Sequence, residues 1–461
     1  MTIDRDLRAA IAVTRFGLGA RPGEIDAARA DPQGWLAAQI RPKGADQPGA
    51  APERSGERFR EFRAYQRDRA ADKQAGQARS AVSTMARQAV RRDAGADFLA
   101  RARLGATTPA GFRERWALFW ANHFTVSANK LATAALAGPF EEEAIRPNVF
   151  GRFEDLLAAA SSHPAMLIYL DQAKSIGPGS EAARLRPPGA KARGLNENLA
   201  REIMELHTVG VEAAYTQTDV TEFARAMTGW SVEAPGAPGD GDGAFQFHER
   251  AHEPGARTIM GRRYAEDGAA QARAVLKDLA ANPHTAHHLA LKIARHFVGD
   301  EPPSSLVDRL RRTYVETGGQ LGEVAKTLIA SPEAWDPAPA KFKTPYEFLL
   351  SSWRAADQAP SDIAAIAPEM TAMGQKPFSA PSPKGWPEEA AVWCAPDAVV
   401  KRMTWSERFA LQATGDRNPV RLADNALGAR LTAPVARTIA RAETRPEGFS
   451  ILLMSPEFQR R

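Results

Sequence analysis

Apolar residues recur at spacings of three and four along most of this chain, a period that predicts α-helices rather than strands. The run from Ala269 to Val298, AAQARAVLKDLAANPHTAHHLALKIARHFV, keeps that spacing. So does the run from Pro303 to Trp335, PSSLVDRLRRTYVETGGQLGEVAKTLIASPEAW, and in both Pro and Gly mark the breaks. Within RERWALFWANHFTVSANK, residues 113–130, Trp116, Phe119, Trp120 and His123 fall at i, i+3, i+4 and i+7. Alternation with a period of two is scarce. One hairpin is predicted where Phe245 and Phe247 alternate before a turn and Arg257 to Tyr264 returns. No repeat of fixed period occurs, so a solenoid is not expected. The pattern predicts a mainly α fold, a compact orthogonal array of many helices with a small β-hairpin, forming a single unit over residues 1–461.

Three Gly- and Pro-rich stretches read as loops: residues 174–194, residues 233–243 and the Pro-rich GQKPFSAPSPKGWP over residues 374–387. The first two flank the most informative segment, Asn196 to Trp230, NENLAREIMELHTVGVEAAYTQTDVTEFARAMTGW. At 100° per residue its first helix puts Leu199, Ile203 and Leu206 on one arc, with Ala200 and Met204 at the edge and His207 and Asn196 inside it. Asn198, Glu202 and Glu205 form a strip beside that arc, while Glu197, Arg201 and Thr208 lie on the far side. In the second helix Val220, Phe223, Ala224, Met227 and Trp230 make the apolar face, and Asp219 projects into it; Glu222, one turn on, is expected to face solvent. Buried ionisable groups are costly unless paired, hydrogen-bonded or bound to metal, so the inward-facing polar residues are the candidate site.

Each candidate has a plainer role. Thr216 and Asp219 have the spacing of a capping box, in which the acid reaches back to the helix N-terminus. His123 on its aromatic stripe reads as a core histidine. His248 and His252 are four apart, but Phe-Gln-Phe before them and Glu-Pro-Gly after them favour a loop over a chelating helix, and His252 remains able to reach a site from that loop. In KFKTPY, residues 341–346, Thr344 suits an N-cap and Pro345 the first helical position. The PSPKGWP element and Trp393 are either an aromatic ledge for sugars or a Pro-rich loop pinned through Trp386, and the pinned loop is favoured. Taken together, His123, His207 and His252 with Glu202 and Asp219 have the residue types of a mixed imidazole and carboxylate site for zinc, iron or manganese. No HExxH, helical Glu-x-x-His, G-x-S-x-G elbow, Walker loop or G-x-G-x-x-G turn occurs.

Composition narrows the class without naming it. With 44% hydrophobic and 25% charged residues the chain is an ordinary globular protein, and no apolar run approaches the length of a membrane span. The start, MTIDRDLRAAIAVTRFGLGARPGE, lacks an adequate apolar core or cleavage site for a signal peptide, so a cytoplasmic location is the default expectation. The single Cys394 excludes an intrachain disulfide and is expected to pack as a small hydrophobe. Net charge is +5, and residues 51–104 alone carry 13 Lys/Arg against 7 Asp/Glu. That Arg-rich segment reads as one or two charged helices with i,i+4 pairs; with almost no aromatics for base stacking, nucleic acid is not an expected partner.

Several phrases of the chain, taken together, resemble the bacterial family known as domain of unknown function 1800. They are RFGLGARPGE, RERWALFWANHFTVS, MLIYLDQAKSIG, GLNENLAREIMELHTVGV, YTQTDVTEFARAMTGW, FHERAHEPGARTIMG, LKIARHFVGDEPP, KFKTPYEFLLSSWRA, PSPKGWP and ILLMSPEFQRR, and they cover nearly the whole length. The resemblance implies that the family's polar motif positions correspond to His123, Asp171, Asn196, Glu197, Asn198, Glu202, Glu205, His207, Asp219, Glu222 and His252. It also implies a setting: many members look exported, some through twin-arginine signals, and are often encoded beside a phosphatase- or sulfatase-like family. This chain departs by lacking a signal, which leaves the envelope open only through co-export with a partner.

These readings converge on a metal- or carboxylate-dependent enzyme acting on an envelope or polymeric substrate. Its expected metal ligands are His123, His207 and His252, its catalytic residues Glu202 and Asp219, and its substrate-binding residues Asn196, Asn198 and Asp171. The alternative is a non-catalytic scaffold or accessory protein that docks the phosphatase- or sulfatase-like neighbour through its basic helices.

Overall fold

Helix boundaries fall where the local chemistry puts them. The helix Ala269–Ala281 stops at Asn282, whose side chain accepts the His284 amide at 2.9 Å while Pro283 opens the next helix, Pro283–Phe297. Thr344 and Glu347 cap the helix Pro345–Ala355 reciprocally, as KFKTPY predicts. The computed structural model describes residues 4–49, 53–76, 80–185, 194–233, 244–338 and 341–461, so much of the loop expected at 174–194 and nearly all of that at 233–243 lie outside the described residues. Within them the chain is mainly α-helical, with two small two-stranded antiparallel sheets. The Arg-rich segment forms the helices Ser55–Gln74 and Ala81–Thr107. No described helix is long and apolar enough to cross a membrane.

The strands pair differently from the expected hairpin. Phe245–Phe247 pairs with Trp230–Val232, in the register Trp230 with Phe247, and Arg257–Ile259 pairs with Arg262–Tyr264. The second pair closes on itself because Met260 and Gly261 both take positive φ, 47° and 77°, the requirement of a two-residue type I′ turn. Arg257 to Tyr264 is thus a hairpin by itself, and Phe245–Phe247 pairs instead with Trp230–Val232.

Two apolar clusters fill the interior. The larger gathers Phe16, Trp116, Trp120, Phe297 and Trp335, and the smaller Phe98, Phe348, Trp405, Phe409 and Phe449. Buried arginines tie them together through backbone carbonyls. Arg115 Nε donates to the Gly17 carbonyl at 2.6 Å, and Arg354 Nε to that of Gly19 at 2.7 Å, while Arg354 also clamps Glu24 at 2.8 Å. The RFGLGARPGE phrase therefore works as a buckle: its buried carbonyls accept from guanidinium groups that also pair with Glu24 and Glu347. Cys394 is exposed and so does not pack as a core hydrophobe.

Candidate functional site

The first helix of the Asn196–Trp230 segment is α-helical only over Asn198–Glu202 and then widens into a π-helical turn, Ile203–His207. The wider turn changes the angular step, so the 100° wheel fails beyond Glu202. Leu206 is only half-buried, and Thr208, expected on the far side, is fully buried with its hydroxyl donating to the Ile203 carbonyl at 2.7 Å. His207 remains inward and buried, with neither ring nitrogen hydrogen-bonded among the described residues.

The π turn ends on bare carbonyls, and two histidines from other helices satisfy them. His123 Nε2 lies 3.2 Å from the His207 carbonyl, and His288 Nε2 3.0 Å from that of Leu206. The rings cluster in consequence: His123 stands 5.7 Å from His207 and 6.5 Å from His288 between centroids. Burial is the main force lowering all three pKa values, helped by Lys292, to about 3 for His207, about 4 for His288 and well below the usual range for His123. Neutral imidazoles so far from titration near pH 7 are poor general acids or bases.

His252 does not join this cluster as a ligand. Its Nδ1 donates to the Thr228 carbonyl at 2.8 Å and its ring packs on Phe247. Among the described residues no three His, Cys, Asp or Glu side chains form a group able to hold a metal ion; His123 faces the His207 carbonyl, and His252 the Thr228 carbonyl.

Asp219 is engaged at both oxygens. Oδ2 accepts the Thr216 amide at 2.7 Å and its hydroxyl at 2.8 Å, and Oδ1 accepts the Met260 amide at 2.6 Å. Burial alone would raise its pKa, but these donors reverse the shift and lower it, so the capping role accounts for the residue. Glu222 bridges Arg225 at 2.7 Å and Arg257 at 3.3 Å instead of pointing free into solvent. Asp171, in the left-handed region at φ 57°, pairs with Lys174 at 2.7 Å and Lys130 at 3.1 Å. Asn196 donates to the Leu170 carbonyl and accepts the amide of exposed Asn198 at 2.9 Å, a turn-forming pair. Glu202 is half-buried with no hydrogen bond or ion pair among the described residues, and its pKa is raised first by burial and then by Glu205.

The helix Pro283–Phe297 carries polar residues one turn apart on one face, His288, Lys292 and His296, running from the histidine cluster to a cavity of about 100 Å³ between the two apolar clusters. At its wall the Glu388 carboxylate holds His296 Nδ1 at 2.9 and 3.0 Å, leaving the buried Nε2 without a partner. A carboxylate only accepts, so Nδ1 carries the proton and Nε2 the lone pair. Burial lowers the His296 pKa against the opposing pull of Glu388. Burial would raise Glu388, but His296, Lys341 and Arg461 outweigh it and bring it to about 2.

Further charged side chains line the same cavity, among them Arg101, Arg115, Glu141 and Glu347. Glu347 pairs with Arg115 and, at 3.1 Å, with Arg461, while Arg101 pairs with Glu141 at 2.5 Å. No periodicity singles out His296, Glu388 or Glu347; the signal each carries in the sequence is its place in LKIARHF, directly after PSPKGWP, and in KFKTPYE, respectively. Trp393, considered as part of a sugar ledge, is buried with Nε1 donating to the Pro387 carbonyl at 2.9 Å, so that element is a pinned loop.

The model of the family described as "Protein of unknown function (DUF1800)" matches residues 11–460. No curated protein and no solved structure matches the chain.

Proposed function

The chain belongs to the DUF1800 family, and we propose that it is a carboxylate-dependent acid–base enzyme whose reacting centre is the cavity bearing Glu388 and His296. The observation that carries this reading is the arrangement at one imidazole: His296 lines the cavity, its Nδ1 is held by a carboxylate, and its buried Nε2 has no partner among the described residues. An orienting acid behind a neutral imidazole is the arrangement that makes histidine a general base. Arg101 and Arg115 line the same space and would stabilise negative charge developing on the reacting group. A volume of about 100 Å³ is small beside that of a whole drug-sized ligand, so an envelope or polymeric substrate would present only a terminal group.

The second reading is a scaffold that docks a phosphatase- or sulfatase-like partner. It is supported by the mutual pairing of Arg115, Glu347 and Arg461, which accounts for those charges without chemistry. A panel of nitrophenyl esters, phosphates and glycosides, assayed with the parent chain, His296→Gln and Glu388→Gln, separates the two. The enzyme reading expects turnover of at least one substrate and a loss of about a hundredfold or more in both variants. No turnover across the panel, or equal turnover in the variants, would favour the scaffold.

A further inference from the structure

A second concavity, of about 970 Å³, lies between the helix Ala81–Thr107, the segment that leads into the helix Leu131–Phe140 and the stretch around Phe378. Its polarity is ordered by depth. Phe98, at the floor, is fully buried, whereas Arg91 and Lys376 are exposed and Arg87 half-buried. Leu131, Ile363 and Pro368 extend the apolar lining, and no Asp or Glu among the described residues lines it.

Three of the four cations that line it have no counterion among the described residues. Arg101, on the same helix, is ion-paired, and Arg103 donates to the Pro360 carbonyl, but Arg87, Arg91 and Lys376 have no hydrogen bond or ion pair among the described residues. Lys130 also lines the concavity and is the one cation there that is paired, to Asp171. Arg87 and Arg91 are one turn apart and present their charges on one face, where like charges repel unless an anion is shared between them.

We propose that this concavity binds a single-chain amphiphile with an anionic headgroup, the chain lying on Leu131, Ile363 and Pro368 and the headgroup held by Arg87, Arg91 and Lys376. The volume falls in the range of single small-molecule sites. Burying the chain supplies affinity in proportion to apolar area, and the cations supply the choice of head. Phe98, Lys376, Pro377 and Phe378 are also walls of the smaller cavity, so the chain end would lie against the partition between the two.

Calorimetric titration of the full chain with dodecanoate, dodecyl phosphate, dodecyltrimethylammonium and inorganic phosphate, each below its micellar concentration, tests this. Saturable one-to-one binding of an anionic chain, at least about tenfold tighter than the cationic chain, is expected, with inorganic phosphate failing to saturate. Binding of dodecanoate alone or of dodecyl phosphate alone identifies the headgroup and supports the proposal equally. Arg87→Glu with Arg91→Glu, both at the surface, should weaken the anionic chain by about tenfold or more. Equal affinity for both head charges, an unchanged double variant, absence of saturable binding, or competition by poly-glutamate as strong as that by dodecanoate overturns it.

Discussion

Asn122 and Trp386 are joined by two hydrogen bonds that run in opposite directions: the Trp386 amide donates to Asn122 Oδ1 at 2.7 Å, and Asn122 Nδ2 donates to the Trp386 carbonyl at 3.1 Å. One side-chain amide thus satisfies both backbone groups of a loop residue, which fixes the PSPKGWP loop against the helix Gly111–His123. Glu388 follows two residues later, so the clamp also sets where the carboxylate meets His296.

Replacing either side of this clamp should loosen the loop. Asn122→Ala leaves the Trp386 amide and carbonyl without partners and is expected to cost about 1–3 kcal/mol in denaturant unfolding. Gly385→Ala should cost at least as much, because Gly385 sits at φ 88° and an added Cβ would lie 2.4 Å from the Asn122 carbonyl oxygen. Unchanged midpoints in both variants would show that the loop is held elsewhere.

Stability should fall with acid because of the histidine cluster. The folded pKa of His207 is lowered to about 3 from an ordinary value of 6.5, so between those limits the unfolded chain binds a proton that the folded chain does not. The contribution is fully present above pH 6.5 and is lost as pH falls, with a slope approaching about 1.4 kcal/mol per unit from this one group. His207→Phe removes two buried nitrogens that have no hydrogen bond among the described residues and should flatten that slope, read from urea midpoints at pH 5 and 8. An identical pH dependence in the variant would reject the assignment.

Asp219→Ala should behave as the loss of a cap. It removes the acceptor of the Thr216 amide and hydroxyl and of the Met260 amide, an expected cost of about 1–3 kcal/mol. Asp219→Asn, which keeps one acceptor oxygen, should cost less. If the two variants unfold together at the parent midpoint, capping is not the residue's role.

Glu347→Gln tests the buried charges. The substitution leaves Arg115 and Arg461 facing each other without the carboxylate, and breaking a buried pair in this way costs about 3–5 kcal/mol. Thermal unfolding followed by circular dichroism should show the largest drop of the single variants described above. A loss below that of Asp219→Ala would mean that solvent reaches the cavity and screens the arginines.

Much of the local structure was legible from residue order. The three-and-four spacing of Ala269–Val298 and Pro303–Trp335 yields helices, Asn282 and Pro283 break the first run, and the boxes Thr216/Asp219 and Thr344/Glu347 cap where their spacing says. Such features depend on partners within one or two turns, so the chain itself carries them. The hairpin was half legible: the turn at Met260 and Gly261 is local, but Phe247 chose Trp230, seventeen residues earlier in the sequence.

What the sequence by itself determined is therefore the mainly α class, the family, the helix starts and stops, and the inward position of His123 and His207. Tertiary structure alone decided what those inward groups do. The π turn at Ile203–His207 exposed carbonyls that His123 and His288 came from two other helices to cap, which accounts for the donor nitrogen of each. His296 and Glu388 lie 92 residues apart and meet where Asn122, Asp300 and Trp393, on other elements, hold the segment around Glu388. No periodicity encodes such a meeting. It arises when buried polar atoms, each too costly to leave unpaired, find partners among whatever surfaces the packing brings together.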